Sequence, residues 1–220
     1  WKSMSQLQPE LLLQAYAVGV FPMAESRDDT RLFFVDPDRR GVIPLDTFHV
    51  SRSLRKTVLQ RRFQVTCDRD FAGTLAGCAE STAKRPDTWI NAEIFRLFVT
   101  LHERGQAHSI EVWRDDRLVG GLYGLRLGGA FFGESMFSRE TDASKVALVH
   151  LVARLKAGGF TLLDSQFITS HLQRFGAIEI PRDEYRERLA QAIAVPAQFD
   201  PGEDDWPAVL ALLQDRTQTS

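Results

Sequence analysis

Apolar residues recur at helical spacing in several segments, and residues that favour a helix end bound each segment. Pro9 suits the first turn of a helix that runs through LLLQAYAV and stops at Gly19. Ser51 is the expected N-cap of a short helix, and Asp70 that of a helix through FAGTLAGCAE. Asn91 suits the N-cap of a longer helix with a clear apolar stripe. That stripe consists of Ile94, Leu97, Phe98 and Leu101.

Strand-like residues dominate the middle of the chain. HSIEVWR turns at Asp115-Asp116 into RLVGGLYGLRL, which turns at Gly128-Gly129 into AFFGESMF, so a three-stranded antiparallel meander is expected. A helix from about Asp142 to Lys156 follows, then a buried strand FTLLD, a short helix SHLQRF and a last strand AIEIPR. The order of these elements predicts a mixed α/β (α+β) domain.

The strength of the pattern divides the chain into three parts. Residues 1–62 lack a strong pattern and are predicted to form a smaller N-terminal domain, and residues 63–195 the α/β domain. Residues 196–220 form an acidic C-terminal tail, with a surface helix expected around WPAVLALL.

Composition excludes some classes of protein but does not indicate a function. The net charge of −2 gives no general indication of nucleic-acid binding, although a local basic patch could still provide it. Cys67 and Cys78 are too few for a disulfide framework, and a reducing, intracellular compartment is expected. The sequence has no apolar run of membrane-spanning length, and WKSMSQLQPE lacks the layout of a signal peptide.

Glu134 lies in an apolar strand, where a carboxylate costs free energy unless it is paired or has a chemical role. Gly133 beside it leaves room for another backbone or a ligand. A structural role, as the partner of an arginine or the cap of the next helix, explains Glu134 as well as a catalytic role does.

Asp164 and Gln166 end the LLDSQF strand and lie two residues apart, so on an extended chain they share one face. An acceptor beside an amide can hold an amine in place. An aspartate that caps the following helix is the alternative interpretation.

A basic stretch lies at the end of the N-terminal segment, without an acidic residue between Asp46 and Asp68. It is a candidate for binding phosphates, although a solvated helix face is the more usual meaning of such a run. Its members are Arg52, Arg55, Lys56, Arg61 and Arg62.

Motifs for nucleotide and metal chemistry are absent from the sequence. It contains neither GxxxxGK[ST] nor GxGxxG, and GESMF lacks the last glycine of a nucleophile elbow. The five histidines show no metal-ligand spacing, so neither a cofactor nor a metal is expected.

Several segments together resemble one known family. AYAVGVFPM, TWI, HSIEVWRDDRLVGGLYG, FFGESMFS, ASKVALVHL, LLDSQF and HLQRFGAIEIPR follow, over residues 8–186, the order found in leucyl/phenylalanyl-tRNA–protein transferases. The resemblance implies a cytoplasmic bacterial enzyme, expected to be a monomer, with a GCN5-related N-acetyltransferase-like domain that uses no acetyl-CoA. Such an enzyme moves Leu or Phe, and less well Met, from aminoacyl-tRNA to proteins that begin with Arg or Lys. The added residue marks those proteins for the N-degron proteolytic pathway.

The resemblance also implies roles for particular residues. Asp164, Gln166 and Glu134 would be catalytic, with Asp164 accepting a hydrogen bond or the proton from the attacking amine and Gln166 orienting that amine. Glu134 would hold Gln166 or meet the acceptor's basic side chain. The donor side-chain pocket would consist of Trp89, Phe98, Leu122 and Phe131. The basic stretch and Phe34 would contact tRNA.

One segment departs from the family pattern. Many members have a Trp-Trp pair where this chain has Phe33-Phe34, before VDPDRRGVIP. Phenylalanine keeps an aromatic face but loses the indole donor, so a hydrogen bond near the tRNA 3′ adenosine would be lost.

Two other classes of function remain alternatives at this level. An acyl-CoA-dependent N-acyltransferase of the same fold would need a glycine-rich pyrophosphate loop at a helix start, where RETDASK has no glycine. A non-catalytic tRNA-binding module would not need Glu134, Asp164 and Gln166 together.

Overall fold

A seven-stranded mixed sheet forms the centre of the molecule. The computed structural model describes residues 7–24, 28, 31–80 and 90–215. The strands of the main sheet are β3 (Arg39–Val42), β4 (Gln64–Cys67), β5 (Ala107–Arg114), β6 (Arg117–Leu127), β7 (Ala130–Ser138), β8 (Leu162–Gln166) and β9 (Ile178–Pro181). A separate two-stranded sheet pairs β1 (Phe21–Met23) with β2 (Phe33–Val35).

Helices cover both faces of the main sheet. They are α1 (Pro9–Ala17), α2 (Arg52–Leu59), α3 (Phe71–Ala79), α4 (Ala92–Glu103), α5 (Ala143–Ala157), α6 (Ser170–Gln173), α7 (Arg182–Ile193) and α8 (Trp206–Gln214). The longest of these described helices, α5, has 15 residues, and within the described ranges the helices lack the length and hydropathy that a bilayer span requires.

The strand order in the main sheet is β4-β5-β6-β7-β8-β3-β9. The antiparallel meander β5-β6-β7 is confirmed, and α5 then connects β7 to the parallel strand β8. This order of meander, helix and parallel strand is the one that the resemblance implied for an acetyltransferase-like domain, and the predicted α/β class is confirmed.

Strands β7 and β8 are paired over only part of their length. Their register extends from Ala130–Leu162 to Phe132–Asp164, whereas β7 continues to Ser138 beside β6. The end of β8 instead pairs with β3, where Gly41 lies opposite Gln166. The two strands therefore part where Glu134 and Gln166 lie.

Alternation along the strands separates two hydrophobic cores. One core contains Leu122 and Phe131 and packs beneath α2, α5 and α8. The other contains Tyr123 and Phe132 and packs beneath α1, α3, α4 and α7. Neighbouring residues of one strand thus face opposite layers of helices.

Local signals predicted most helix starts. The side chains of Ser51, Asp70 and Asn91 each accept a backbone N–H of the following helix, as expected of N-caps. Strands β1 and β4 and helix α7 were not predicted; the segment of β1 was expected to be a turn. Edge strand β4 is only partly buried, and α7 is highly polar and buries only Tyr185, Leu189 and Ala192, so neither has a strong apolar pattern.

The predicted N-terminal segment contributes to the main sheet. Strand β3 lies between β8 and β9, and Leu54 and Val58 of α2 belong to the hydrophobic core beneath α5. In the acidic tail, α8 buries Val209, Leu212 and Leu213 against that same core. The division at residues 62 and 195 stays a prediction.

Candidate active site

Glu134 lies on β7 where this strand parts from β8, and only 9% of it is exposed. Its Oε1 accepts a hydrogen bond from the Tyr16 hydroxyl at 2.6 Å, and its Oε2 accepts one from Gln166 Nε2 at 3.0 Å. Burial raises the pKa of Glu134 to about 8, against the opposing effect of these two hydrogen bonds. The carboxyl group therefore titrates close to neutral pH.

Asp164 lies on β8 and is completely buried. Arg40 donates to both of its oxygens, from Nε to Oδ1 at 2.9 Å and from Nη2 to Oδ2 at 2.6 Å. The backbone N–H of Gln166 also donates to Oδ1, at 2.8 Å. Gln166 has a φ of 65°, in the left-handed region that non-glycine residues rarely adopt. The Asp164 carboxylate thus holds the end of the strand in an unusual conformation.

Arg40 is a site residue that the sequence analysis missed. It lies on β3, is 1% exposed, and donates from Nη1 to the carbonyl of Gly19 at 2.6 Å. Burial alone would lower its pKa, but the charge and hydrogen bonds of Asp164 outweigh this effect and raise the pKa of Arg40. Arg40 lies in the VDPDRRGVIP segment, but its burial depends on the pairing of β3 with β8.

Tyr16 is a second residue of the site that was missed. It lies on α1, is fully buried, and packs edge-on against Phe132 at 5.1 Å between ring centroids. Burial, followed by the charge of Glu134, raises the pKa of Tyr16 well above its ordinary value. Tyr16 is therefore a neutral donor to Glu134. Its place in the AYAVGVFPM motif is the signal that could have indicated it.

A cavity of about 290 Å³ opens beside this group. Glu134 and Asp164 lie in its wall, with Ser135, Ser165, Thr169 and His171 as further polar residues. The apolar part of the wall is formed by Ile43, Leu122, Met136, Leu148, Leu151, Leu163 and Leu172. An apolar cavity with a few convergent polar groups is the usual form of a small-molecule site.

The structure does not bring the three described members of the predicted pocket together. Leu122 lines the cavity. Phe131 is buried below it and packs against Phe160 and Phe199, with ring centroids 6.4 and 6.0 Å apart. Phe98 lies on the opposite face of the sheet, edge-on to Tyr123, because adjacent residues of β6 point to opposite faces. Trp89 lies outside the described residues.

The predicted tRNA-binding residues lie on the surface. Arg52, Lys56, Arg61 and Arg62 are exposed, and Arg55 is half-buried. Arg61 stacks over the ring of Trp206 at 4.2 Å, which joins the segment after α2 to α8. Phe34 is 45% exposed on β2, where it lies opposite Pro22.

Comparison with solved structures shows a shared fold. FemX aligns with a TM-score of 0.55 and 13% identity, over 78% of this chain and 66% of its own. At this identity the similarity concerns the fold alone.

Comparison with known sequences defines the class. Residues 5–38 match the family Leucyl/phenylalanyl-tRNA protein transferase N-terminal domain, and residues 42–190 match Leucyl/phenylalanyl-tRNA protein transferase. A protein of the latter name from Paramagnetospirillum magneticum is 62% identical, over 90% of this chain and 94% of its own length. One from Maricaulis maris is 60% identical, over 96% of this chain and 97% of its own length.

By these sequence comparisons the chain is an aminoacyltransferase. Within this class, the chain belongs to the leucyl/phenylalanyl-tRNA protein transferase family. The resemblance found in the sequence is confirmed.

Proposed function

We propose that the protein transfers leucine or phenylalanine, and less well methionine, from aminoacyl-tRNA to the α-amino group of proteins that begin with Arg or Lys. The product would enter the N-degron pathway in the cytoplasm. The observation that carries this proposal is the position of Glu134 in the wall of the apolar cavity, with Gln166 hydrogen-bonded to it. The family membership supports the same reaction class.

The cavity is the proposed site of the donor side chain. Leu122, Met136 and Leu151 contribute to a wall that an aliphatic or aromatic side chain can fill. Such a wall discriminates by shape, at about 1–3 kcal/mol per methylene group. A volume of about 290 Å³ can take the side chain of Leu or Phe and leave the ester near Glu134.

The chemical step is aminolysis of an ester that is already activated. The acceptor nitrogen bonds to the ester carbonyl carbon, the bond from this carbon to the ribose oxygen breaks, and the amine loses a proton while the ribose oxygen gains one. An α-amino group has a pKa of about 7.8, so roughly a tenth of it is neutral at about pH 7. Orientation of the amine and help with its deprotonation can supply most of the catalysis.

The hydrogen bonds suggest how the polar residues share this work. Because Gln166 donates its amide nitrogen to Glu134, its amide oxygen is the acceptor that it can offer to the amine. Glu134 faces the cavity, titrates near neutral pH, and can accept the proton or meet a cationic acceptor side chain. Three donors already occupy the Asp164 carboxylate, which argues for an orienting role over that of a base.

The basic stretch on and after α2 is the proposed tRNA contact. Its exposed cations suit phosphate oxygens, and phosphate contacts carry no sequence information. This mode of binding fits an enzyme that accepts tRNAs of several amino acids.

Transfer of radiolabelled leucine tests the proposal. Leu-tRNA is incubated with the enzyme and a protein that begins with Arg, and with an otherwise identical protein that begins with Ala. We expect label on the Arg protein only. Absence of label with tRNA still bound would instead indicate a binding module, and acetylation of the acceptor by acetyl-CoA would indicate the acyl-CoA-dependent alternative.

A further inference from the structure

We propose that Arg40 is a positioning residue of the transfer reaction, which fixes Asp164 so that Asp164 holds Gln166 in the conformation that faces Glu134 and the acceptor amine. This inference rests on the proposed function. It assigns a role to a residue that lies behind the reacting groups.

All three nitrogens of the Arg40 guanidinium donate hydrogen bonds. Nε and Nη2 bind the two oxygens of Asp164, and Nη1 binds the carbonyl of Gly19. The guanidinium carbon also lies over the rings of Phe21 and Tyr185, at 4.6 and 4.4 Å from their centroids. A partner for each of its three nitrogens, together with the two rings, compensates for the removal of this cation from water.

These contacts tie the end of β8 to distant parts of the chain. Gly19 follows α1, Phe21 begins β1, and Tyr185 lies on α7. The position of Asp164 therefore depends, through Arg40, on the packing of these three elements. The cluster contacts the cavity only through Asp164, so it can act on the reaction only through the geometry of this carboxylate.

The conformation of Gln166 shows why such an anchor is needed. Its φ of 65° is unfavourable for a residue with a side chain. The hydrogen bond from its N–H to Asp164 Oδ1 stabilises this conformation. The same turn directs the side-chain amide to Glu134 at 3.0 Å. A shift of Asp164 would release Gln166 towards an ordinary conformation and away from Glu134.

The neighbouring glycine supports the same interpretation. A Cβ on Gly41 would lie 2.6 Å from the backbone carbon of Phe167 and 2.8 Å from Ser165 Oγ. Strand β3 thus packs against the residues on both sides of Gln166. Residues 40 and 41 together fix the segment that carries the amide.

Arg40→Lys is the informative variant. Lysine keeps the positive charge but cannot donate two parallel hydrogen bonds to Asp164, and it does not reproduce the flat group over the two rings. We expect the single-turnover transfer constant to fall about 10²-fold, because a misplacement of about 1 Å can have that effect. The KM for aminoacyl-tRNA should stay within about twofold, because Arg40 is buried away from solvent.

Arg39→Lys is the matched control. Arg39 is the preceding residue on the same strand, but its side chain is 56% exposed and pairs with Glu179 at the surface. It should transfer at the rate of the original enzyme. Thermal unfolding of both variants is measured first, and the assay is run at a temperature at which each is folded. A change in stability alone then leaves the single-turnover transfer constant unchanged.

A double variant tests whether Arg40 acts through Asp164. Arg40→Met with Asp164→Leu replaces the buried ion pair by apolar groups of similar size, which proteins often tolerate. Because the two residues form one unit, its loss of transfer should not exceed that of either single variant, Arg40→Met or Asp164→Leu. This variant also serves if Arg40→Lys fails to fold.

The outcomes separate this inference from the proposed function. If the original enzyme labels the Arg-bearing acceptor and Arg40→Lys labels it equally fast, the role of Arg40 is refuted while the function stands. A loss confined to KM, or losses of the two single variants that multiply in the double variant, would also refute it. If the original enzyme produces no label, both proposals fail together.

Discussion

Gln166 donates its side-chain amide to Glu134 at 3.0 Å, across the point where β8 separates from β7. The contact joins two residues that are 32 positions apart in the sequence. It leaves the amide oxygen of Gln166 to accept a hydrogen bond from another donor. Burial raises the pKa of Glu134 to about 8. The pair is therefore suited to hold an amine and relieve it of a proton.

Glu134→Gln should lower the single-turnover transfer constant by about 10²-fold or more, the usual effect of losing a general base. In the original enzyme the rate should rise with pH to a plateau above about pH 8, because the ionised form of Glu134 accepts the proton. Glu179→Gln, at an exposed ion pair, is the control. Transfer by Glu134→Gln at the original rate would exclude the base role.

The stability of the protein should also respond to the pKa of Glu134. This pKa is about 8 in the folded state and 4.5 without the fold, so within that window the folded state binds the proton more tightly than the unfolded state. The free energy of unfolding should therefore decrease as pH rises from about 4.5 to 8, by at most about 1.4 kcal/mol per pH unit from this group.

Urea unfolding at about pH 5, 6.5 and 8 measures this dependence. The difference in stability between the original protein and Glu134→Gln should change across the window, in favour of the variant at the alkaline end. A difference that stays constant with pH would show that Glu134 does not titrate there.

Leu122→Ala should enlarge the cavity and weaken the preference for Leu over Val, which rests on about 1–3 kcal/mol of shape discrimination. Phe131→Ala is the control, since Phe131 belongs to the same hydrophobic core but does not line the cavity. Both variants should lose about 2–5 kcal/mol of stability. Competition between Leu-tRNA and Val-tRNA measures the ratio; an equal change in both variants would contradict the assignment of the pocket.

Replacing Arg52 and Lys56 by Gln should raise the KM for tRNA and flatten its salt dependence. Each lost phosphate contact reduces the slope of log affinity against log salt by about 0.7–0.9. Arg188→Gln is the control, because Arg188 is an exposed cation on α7 that pairs with Glu184. Binding isotherms at several salt concentrations provide the slopes. Identical slopes for the Arg52 and Lys56 variant and for Arg188→Gln would show that α2 does not contact the tRNA.

Phe34→Ala should weaken the binding of aminoacyl-tRNA by about 1–3 kcal/mol, the contribution of one aromatic ring stacked on a base. Phe34→Trp, which introduces the indole expected from the family pattern, should bind at least as tightly as the original. Leu11→Ala is the control, since Leu11 is 52% exposed on α1. Equal affinity of all four proteins would show that Phe34 does not stack on the tRNA.

The sequence by itself determined the features that depend on near neighbours. Ser51, Asp70 and Asn91 cap their helices, and Asp115-Asp116 turns the meander with both residues at positive φ. These outcomes rest on hydrogen bonds and backbone preferences within a few residues, so local patterns predict them. The family motifs also selected Glu134, Asp164 and Gln166, although not the contacts that each would make.

Only the tertiary structure decided the partners of these residues. Arg40 and Asp164 are 124 positions apart, and Tyr16 and Glu134 are 118 apart. The residues of strand β3 show no pattern that reveals its place between β8 and β9. Phe98 faces away from the cavity because α4 covers the opposite face of the sheet. Arg40 can bind Asp164 because both residues are buried. Burial results from packing between distant segments, which local sequence does not encode.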